Sequence, residues 1–312
     1  MPAHPPIVFE RGWLSSNNIL LRGRHGNALI DTGYASHAAQ TLALVQQALQ
    51  EAPLHAIVNT HLHSDHCGGN LALQQHWPGC ATRIPAASAA AVADWDETAL
   101  SFAATGQQCP RFGFTATLQG GDELPLGDAH WQVHAAPGHD PDMVVLFEPA
   151  SRTLISADAL WQHGFGVIFP ELDGVQAFDV MAATLDAIER LQPLHIIPGH
   201  GAPFTEVAAA LATAHRRLDA FAQNPARHAH YAAKALLKFK LLEWQRIHRD
   251  ALGQWVAQLP YFGRLRLLMG GNAAAAAGGA ATDPDGWLDD LLADLVRSGA
   301  ARREDGGWIF NQ

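Results

Sequence analysis

Short apolar runs and helical stripes alternate along the first two thirds of the chain. Residues 7–30 read as short strands, and Asn27-Ala28-Leu29-Ile30-Asp31-Thr32-Gly33 is an apolar strand ending on a carboxylate and a glycine turn. From Ser36 to Gln50 the apolar residues Ala39, Leu42, Val45 and Leu49 recur at helical spacing. Ala56-Ile57-Val58 then reads as a buried strand, followed by a helix over 67–76, a short strand at Ala81–Ile84 and a helix over 86–105. Strands are expected at Phe114–Leu118 and Trp131–Ala135. Met143–Phe147 and Thr153–Ser156 have the look of an antiparallel pair, and Leu194–Ile197 is one more strand. Such alternation predicts an α/β layered fold.

The pattern changes after Phe204. Glu206–Ala222 and Tyr231–Ile247 carry helical apolar spacing, and Arg249–Leu259 is a shorter segment stopped at Pro260. Glycine and alanine dominate residues 270–281, which predicts a linker. Pro284–Ser298 is another amphipathic helix, and Ala300–Glu304, Asp305-Gly306-Gly307 and Trp308–Phe310 spell a hairpin. The expected domains are therefore 1–205 and 206–312, the second helical and ending in a hairpin that resembles the wing of a winged helix.

Composition narrows the setting. At 312 residues with 48% hydrophobic and 16% charged content, the chain is a globular one with room for two cores. Its apolar runs are too short for a membrane span, and the first residues do not form a signal peptide. Three cysteines (Cys67, Cys80, Cys109) make an odd number without framework spacing, which favours a reducing, cytoplasmic location. The sequence leaves room for a homo-oligomer.

Charge is unevenly spread. Residues 1–210 hold 7 Lys and Arg against 20 Asp and Glu, whereas residues 211–270 hold 10 against 3. Lys234 and Lys238 lie one helical turn apart, so they could hold an anionic substrate at a rim; the other reading is a solvated or ion-paired face. The helix that would enter a nucleic-acid groove carries Asp285, Asp289, Asp290 and Asp294 against Arg297 alone. Phosphate repels such a surface, so nucleic acid is disfavoured as a partner and a small molecule favoured.

The chemistry concentrates in Asn59-Thr60-His61-Leu62-His63-Ser64-Asp65-His66-Cys67-Gly68-Gly69-Asn70, directly after the strand at 56–58. In an extended loop His61 and His63 point the same way and can grip one ion, while Asp65 and His66 open the next helix toward a second. Imidazole and carboxylate suit borderline divalent ions such as zinc. Cys67 reads as a small buried residue rather than a ligand.

Thr-His-Leu-His-Ser-Asp-His resembles the H-x-H-x-D-H motif of the metallo-β-lactamase-fold hydrolases. The other four motifs of that family are matched in order by Asp31, by Pro137-Gly138-His139, by Ser156-Ala157-Asp158 and by Pro198-Gly199-His200. The resemblance covers residues 10 to 205 and implies a four-layer αββα sandwich. It implies His61, His63 and His139 on one metal, Asp65, His66 and His200 on a second, and Asp158 shared, since its two oxygens can bridge. Asp31 would support a ligand from behind. Catalysis is thus expected to depend on Asp31, Asp65 and Asp158.

Two such ions, most readily zinc with iron or manganese as alternatives, acidify water and stabilise an oxyanion, so the implied reaction is hydrolysis. Asp158 argues against an antibiotic-hydrolysing member, because dizinc β-lactamases lack the bridging Asp. The motif set looks most like hydroxyacylglutathione hydrolases, which implies a small ester or thioester as substrate. The alternatives are a β-lactamase-like RNA or phosphodiester hydrolase and a mononuclear-iron sulfur dioxygenase of the same fold. Trp161-Gln162-His163-Gly164-Phe165-Gly166-Val167-Ile168-Phe169 is expected to line the pocket, with His163 as a candidate substrate contact.

Overall fold

The structure, a computed structural model, describes residues 4–271 and 284–312; the expected linker falls almost wholly outside these. The chain separates into two compact units. One comprises residues 1–103, 107–170 and 176–218, and the other 104–106, 171–175 and 219–312.

Two sheets form the N-terminal unit. The first holds β1 (Ile7–Phe9), β2 (Asn18–Leu21), β3 (Ala28–Ile30), β4 (Ala56–Val58), β5 (Ala81–Pro85) and β6 (Ala116–Leu118) in sequence order. Strands β3 to β6 are parallel. The second sheet runs β11-β10-β9-β8-β7, from β7 (Glu123–Leu126), β8 (Ala129–Ala135), β9 (Val144–Glu148), β10 (Thr153–Ala157) and β11 (His195–Pro198).

Strand alternation explains how the layers close. Ile19, Leu21, Ile30 and Val58 of the first sheet share one core with Leu124, Leu126, Trp131, Val133, Val144, Leu146, Ile155 and Ile197 of the second. The intervening residues Leu20, Leu29 and Ile57 point the other way, onto Val45 and Leu49 of the helix Ala38–Leu49 and onto Leu73 of the helix Asn70–His76. Both faces of the first sheet are therefore apolar, which its near-continuous hydrophobic strands require. The helix Phe178–Leu191 buries Met181, Leu185 and Ile188, and its Thr184 hydroxyl donates to the Pro137 carbonyl at 2.6 Å.

Three elements depart from the sequence reading. The helix expected over 86–105 is broken after Asp94, because Trp95 adopts a left-handed conformation (φ 56°) and the Asp96 carboxylate caps the Thr98 and Ala99 amides. Strand β7 is additional: it pairs with β8 across Gly127-Asp128, and its Pro125 is tolerated because β7 lies at the sheet edge. In the C-terminal unit the helix is Pro225–Trp244, ended by Gln245 at φ 63°, and Arg246–His248 is a strand, β12.

That strand completes a three-stranded antiparallel sheet, β12-β14-β13, with β13 (Ala301–Glu304) and β14 (Trp308–Asn311). Against it stand the helices Pro225–Trp244 and Pro284–Arg297, whose inward residues Leu236, Leu237, Leu241, Leu288, Leu291, Leu292 and Leu295 are buried. The basic and acidic segments of the sequence meet here. Arg249 and Arg303 pair with Asp289 at 3.3 and 2.7 Å, and His230 and Lys234 face Asp294 at 3.0 and 3.8 Å. Among the described residues, no helix is long and apolar enough to cross a membrane.

Candidate metal centre

Five strand ends supply the site. In the second sheet β8 and β10 both run antiparallel to β9, and β11 is parallel to β10, so the C-terminal ends of β8, β10 and β11 lie together. They present His139, Asp158 and His200. From the first sheet, β3 ends at Asp31 and β4 leads into His61 and His63, with Asp65 and His66 in the short helix Ser64–Cys67. Ligand sites in parallel sheets gather at the carboxyl ends of strands for the same reason.

The local backbone is shaped for this. Asp31 and Ala157 hold left-handed conformations (φ 55° and 46°), uncommon for residues with a Cβ, and the β10–β11 ladder shifts register before Asp158. Two glycines are required by close approach. A Cβ on Gly199 would lie 2.2 Å from Asp158 Oδ1, and one on Gly166 would lie 2.4 Å from His139 Nδ1.

All seven expected side chains come together. The ligand atoms of His61, His63 and His139 form one group, those of Asp65, His66 and His200 a second, and those of His61, His66 and Asp158 a third, each within 4.8 Å. His63 Nδ1 is 3.1 Å from His61 Nε2 and 2.8 Å from His139 Nε2. Asp158 lies between the groups: Oδ1 is 3.5 Å from His66 Nε2, while Oδ2 is 3.4 Å from His139 Nε2 and 3.8 Å from His200 Nε2. His200 Nε2 lies 3.1 Å from Asp65 Oδ2.

Behind these atoms a further set of contacts fixes the rings. The Asp31 carboxylate accepts from the Thr60 amide and hydroxyl at 2.9 and 2.7 Å, and lies 2.7 Å from His66 Nδ1. His139 Nδ1 donates to the Val167 carbonyl at 2.6 Å, which leaves a lone pair on its Nε2. Asp140, which follows His139, places a carboxylate oxygen 3.6 Å from His63 Nε2.

Burial decides most of the titration behaviour. His61 and His139 are shifted below the ordinary histidine value, and His63 falls to about 3, first because burial disfavours charge and then because other imidazoles crowd it. His66 goes the other way: burial opposes its charge, but Asp158, Asp31 and Asp65 outweigh it. Asp158 is likewise buried yet held well below the carboxylate range by His200, His66 and His139. Burial pushes Asp140 up to about 7.

This arrangement fits divalent metal. Three neutral imidazoles converge their nitrogens, and neutral imidazole is the form that ligates. His66 Nε2 is buried and has no hydrogen-bond partner among the described residues. An N/O donor set of this kind, with buried carboxylates to offset cation charge, suits zinc, iron or manganese.

The remaining sequence expectations divide. Cys67 is buried, within 3.3 Å of the His63 carbonyl and 3.7 Å of Cys109 Sγ, and joins none of the three groups. The His163 side chain is exposed, and its carbonyl accepts from Arg217 at 3.3 Å. Lys238 gives its ammonium protons to the Ala300 carbonyl, Asn311 Oδ1 and the Gln312 carbonyl, each at 2.6 Å, and Lys234 faces Asp294. These contacts tie the lysines' helix to the hairpin and to the acidic helix.

Trp13 has no counterpart in the sequence reading. Its ring stacks on His200 (centroids 5.2 Å apart, planes at 7°) and meets Trp161 edge-on at 5.2 Å. The Trp161 indole N–H donates to Asp158 Oδ1 at 3.2 Å. Phe169 stands edge-on to His63 and His139 at 5.0 and 5.6 Å. The aromatic-rich 161–169 loop gave a partial signal; Trp13 gave none, because long-range backbone bonds bring it in.

The profile of the metallo-beta-lactamase superfamily matches residues 11–200. Over 141 residues the chain is 30% identical to a hydroxyacylglutathione hydrolase of Yersinia enterocolitica, an alignment covering 45% of each protein. It thus spans less than half the length of that relative. Among solved structures, a metallo-beta-lactamase family protein from Thermus thermophilus, TTHA1429, is 18% identical with a TM-score of 0.54, covering 98% of this chain and 97% of that one. TTHA1623, solved in a di-iron-bound form, is 25% identical with a TM-score of 0.54, covering 68% and 98%.

Proposed function

The chain belongs to the metallo-beta-lactamase superfamily, and on that premise we propose that it is a dinuclear metal-dependent hydrolase of a small ester or thioester. The observation that carries this reading is Asp158, whose two oxygens face the His61–His63–His139 group and the Asp65–His66–His200 group at once. We assign His61, His63 and His139 to one ion, Asp65, His66 and His200 to another, and Asp158 to both. When bound, the two ions supply Lewis acidity, which acidifies water and takes up the charge that develops on a carbonyl oxygen under attack.

The protein's own groups prepare that chemistry. Asp31 holds His66 by its Nδ1 and so aims Nε2 into the site; Val167 does the same for His139. No serine or cysteine nucleophile is needed, and Cys67 is directed at the carbonyls of Leu62 and His63. The similarity to a hydroxyacylglutathione hydrolase favours a thioester among acyl substrates. The di-iron form of TTHA1623 keeps iron beside zinc as a candidate metal. The C-terminal helices with their three-stranded sheet we read as a winged-helix-like module with a structural role, its acidic helix being paired with arginines rather than exposed to phosphate.

Elemental analysis after reconstitution with zinc, iron or manganese, followed by thioester, lactone and phosphodiester substrates, tests the reading. Two metals per chain with thioester or ester turnover is the expected result. One iron per chain with oxygen consumed on a persulfide, or turnover confined to phosphodiesters, would overturn it.

A further inference from the structure

We propose that Trp13 and Trp161 form a wall that selects substrates with a sizeable apolar acyl group; this rests on the hydrolase reading and gives it a substrate class. The wall stands on the site itself. Trp13 lies flat against His200, Trp161 is 5.5 Å from the same imidazole, and the Trp161 N–H is bonded to Asp158. A carbonyl that reaches these two metal-facing residues brings its neighbouring group against indole.

Exposure is the second observation. Trp13 is 53% exposed, while His200 and Asp158 beside it are 5% and 4% exposed. An indole left half in water forgoes the burial it would gain in a core. It is nevertheless held in place. Ser16 N donates to the Asp65 carbonyl at 3.0 Å and Asn17 N to the Gly199 carbonyl at 2.6 Å. The Asn17 side-chain amide adds bonds to the Pro198 and Gly201 carbonyls at 2.9 and 2.7 Å. The loop carrying Trp13 is thus bonded to the loops that carry Asp65 and His200. On the opposite side Phe169 flanks His63 and His139. A polar acyl group would lose water against these rings without gaining partners, whereas an alkyl or aryl group gains contact.

The test is a series of N-acetylcysteamine thioesters from acetyl to octanoyl, assayed with the wild-type protein, Trp13→Ala and Trp13→Phe. Trp308→Ala, which removes an exposed indole of the C-terminal unit, is the control. Calorimetric binding of the matching non-hydrolysable amides supplies a readout independent of turnover. Wild-type kcat/KM is expected to climb with acyl length. Trp13→Ala should lose about tenfold more for octanoyl than for acetyl, chiefly through KM, with Trp13→Phe retaining most of the gain. Amide affinities should follow the same order, and Trp308→Ala should keep the wild-type slope. An unchanged slope in Trp13→Ala, or a loss in kcat equal at every length, overturns the proposal. Absence of any thioester or ester turnover would refute the hydrolase reading alone, because the amide series then still decides whether Trp13 recognises acyl length.

Discussion

Exchanging Asp31 for asparagine keeps the shape of the side chain and changes only what its atoms can accept. Asp31 takes three hydrogens on two oxygens: the Thr60 amide on Oδ1, and the Thr60 hydroxyl and His66 Nδ1 on Oδ2. A carboxylate accepts at both positions; an amide accepts at one and donates at the other. If the amide oxygen takes the Oδ2 position, its NH2 confronts the Thr60 N–H across 2.9 Å, donor against donor. If it takes the Oδ1 position, the NH2 faces Thr60 Oγ1 and His66 Nδ1. The hydroxyl can turn, but His66 must then accept at Nδ1 and carry its proton on Nε2, the nitrogen that faces Asp65 and Asp158.

Either outcome has a calculable cost. An unmet buried donor costs about 1–3 kcal/mol, which for a unit of this size lowers the melting temperature by about 2–12 °C. Losing the partner that orients a ligand typically costs about 10–100-fold in metal affinity. Asp31 is only 2% exposed, so water cannot replace the missing acceptor. Titrating metal-free Asp31→Asn with zinc against a chelating dye, and melting it in chelator, reads both quantities. One of two zinc ions should bind about 10–100-fold more weakly, with the other much less affected. Two zinc affinities within about threefold of wild type, together with an unchanged melting temperature, would refute the assignment of Asp31 as the group that orients His66.

Two further substitutions separate the site from its scaffold. Gly199→Ala would place a methyl 2.2 Å from Asp158 Oδ1; a carboxylate displaced by roughly 1 Å should lower thioester kcat/KM by about 100-fold, and a variant with two metals and wild-type rate would disprove the constraint. Lys238→Met leaves three oxygens without their shared donor, so urea unfolding should show the C-terminal unit weakened by about 1–3 kcal/mol with KM unaltered. A raised KM at unaltered stability would instead support a rim role for this lysine.

Much of the layered fold was legible because strands buried on both faces and amphipathic helices write their periods directly into the sequence. Leu20 and Leu29 against Ile19 and Ile30 show how: adjacent residues enter different cores, so the strand reads as a continuous apolar run. What escaped was set by single backbone conformations. Nothing in the apolar spacing of residues 86–105 announces that Trp95 turns left-handed, nor does the stripe through Tyr231–Ile247 reveal that Gln245 ends the helix and frees Arg246–His248 to pair with Trp308–Phe310. The charge blocks were visible, but their meaning was not. Arg249 and Asp289 are 40 residues apart, and only the folded unit shows that they are partners.

The site divides along the same line. The convergence of seven histidine and aspartate side chains was readable because each is fixed to a strand end by a short motif, so that local spacing already specifies direction. Asp31 could be placed for the same reason, at the end of the strand that pairs with β4. Trp13 sits in a loop with no period and no motif, and its position is fixed by hydrogen bonds to residues 49 and 182 places along the chain from their donors, Ser16 to Asp65 and Asn17 to Gly199. A superfamily can therefore hold its metal chemistry in residues that a sequence declares. Groups such as Trp13 arrive through tertiary contacts that the motif does not record, and substrate choice is the property best placed to vary there.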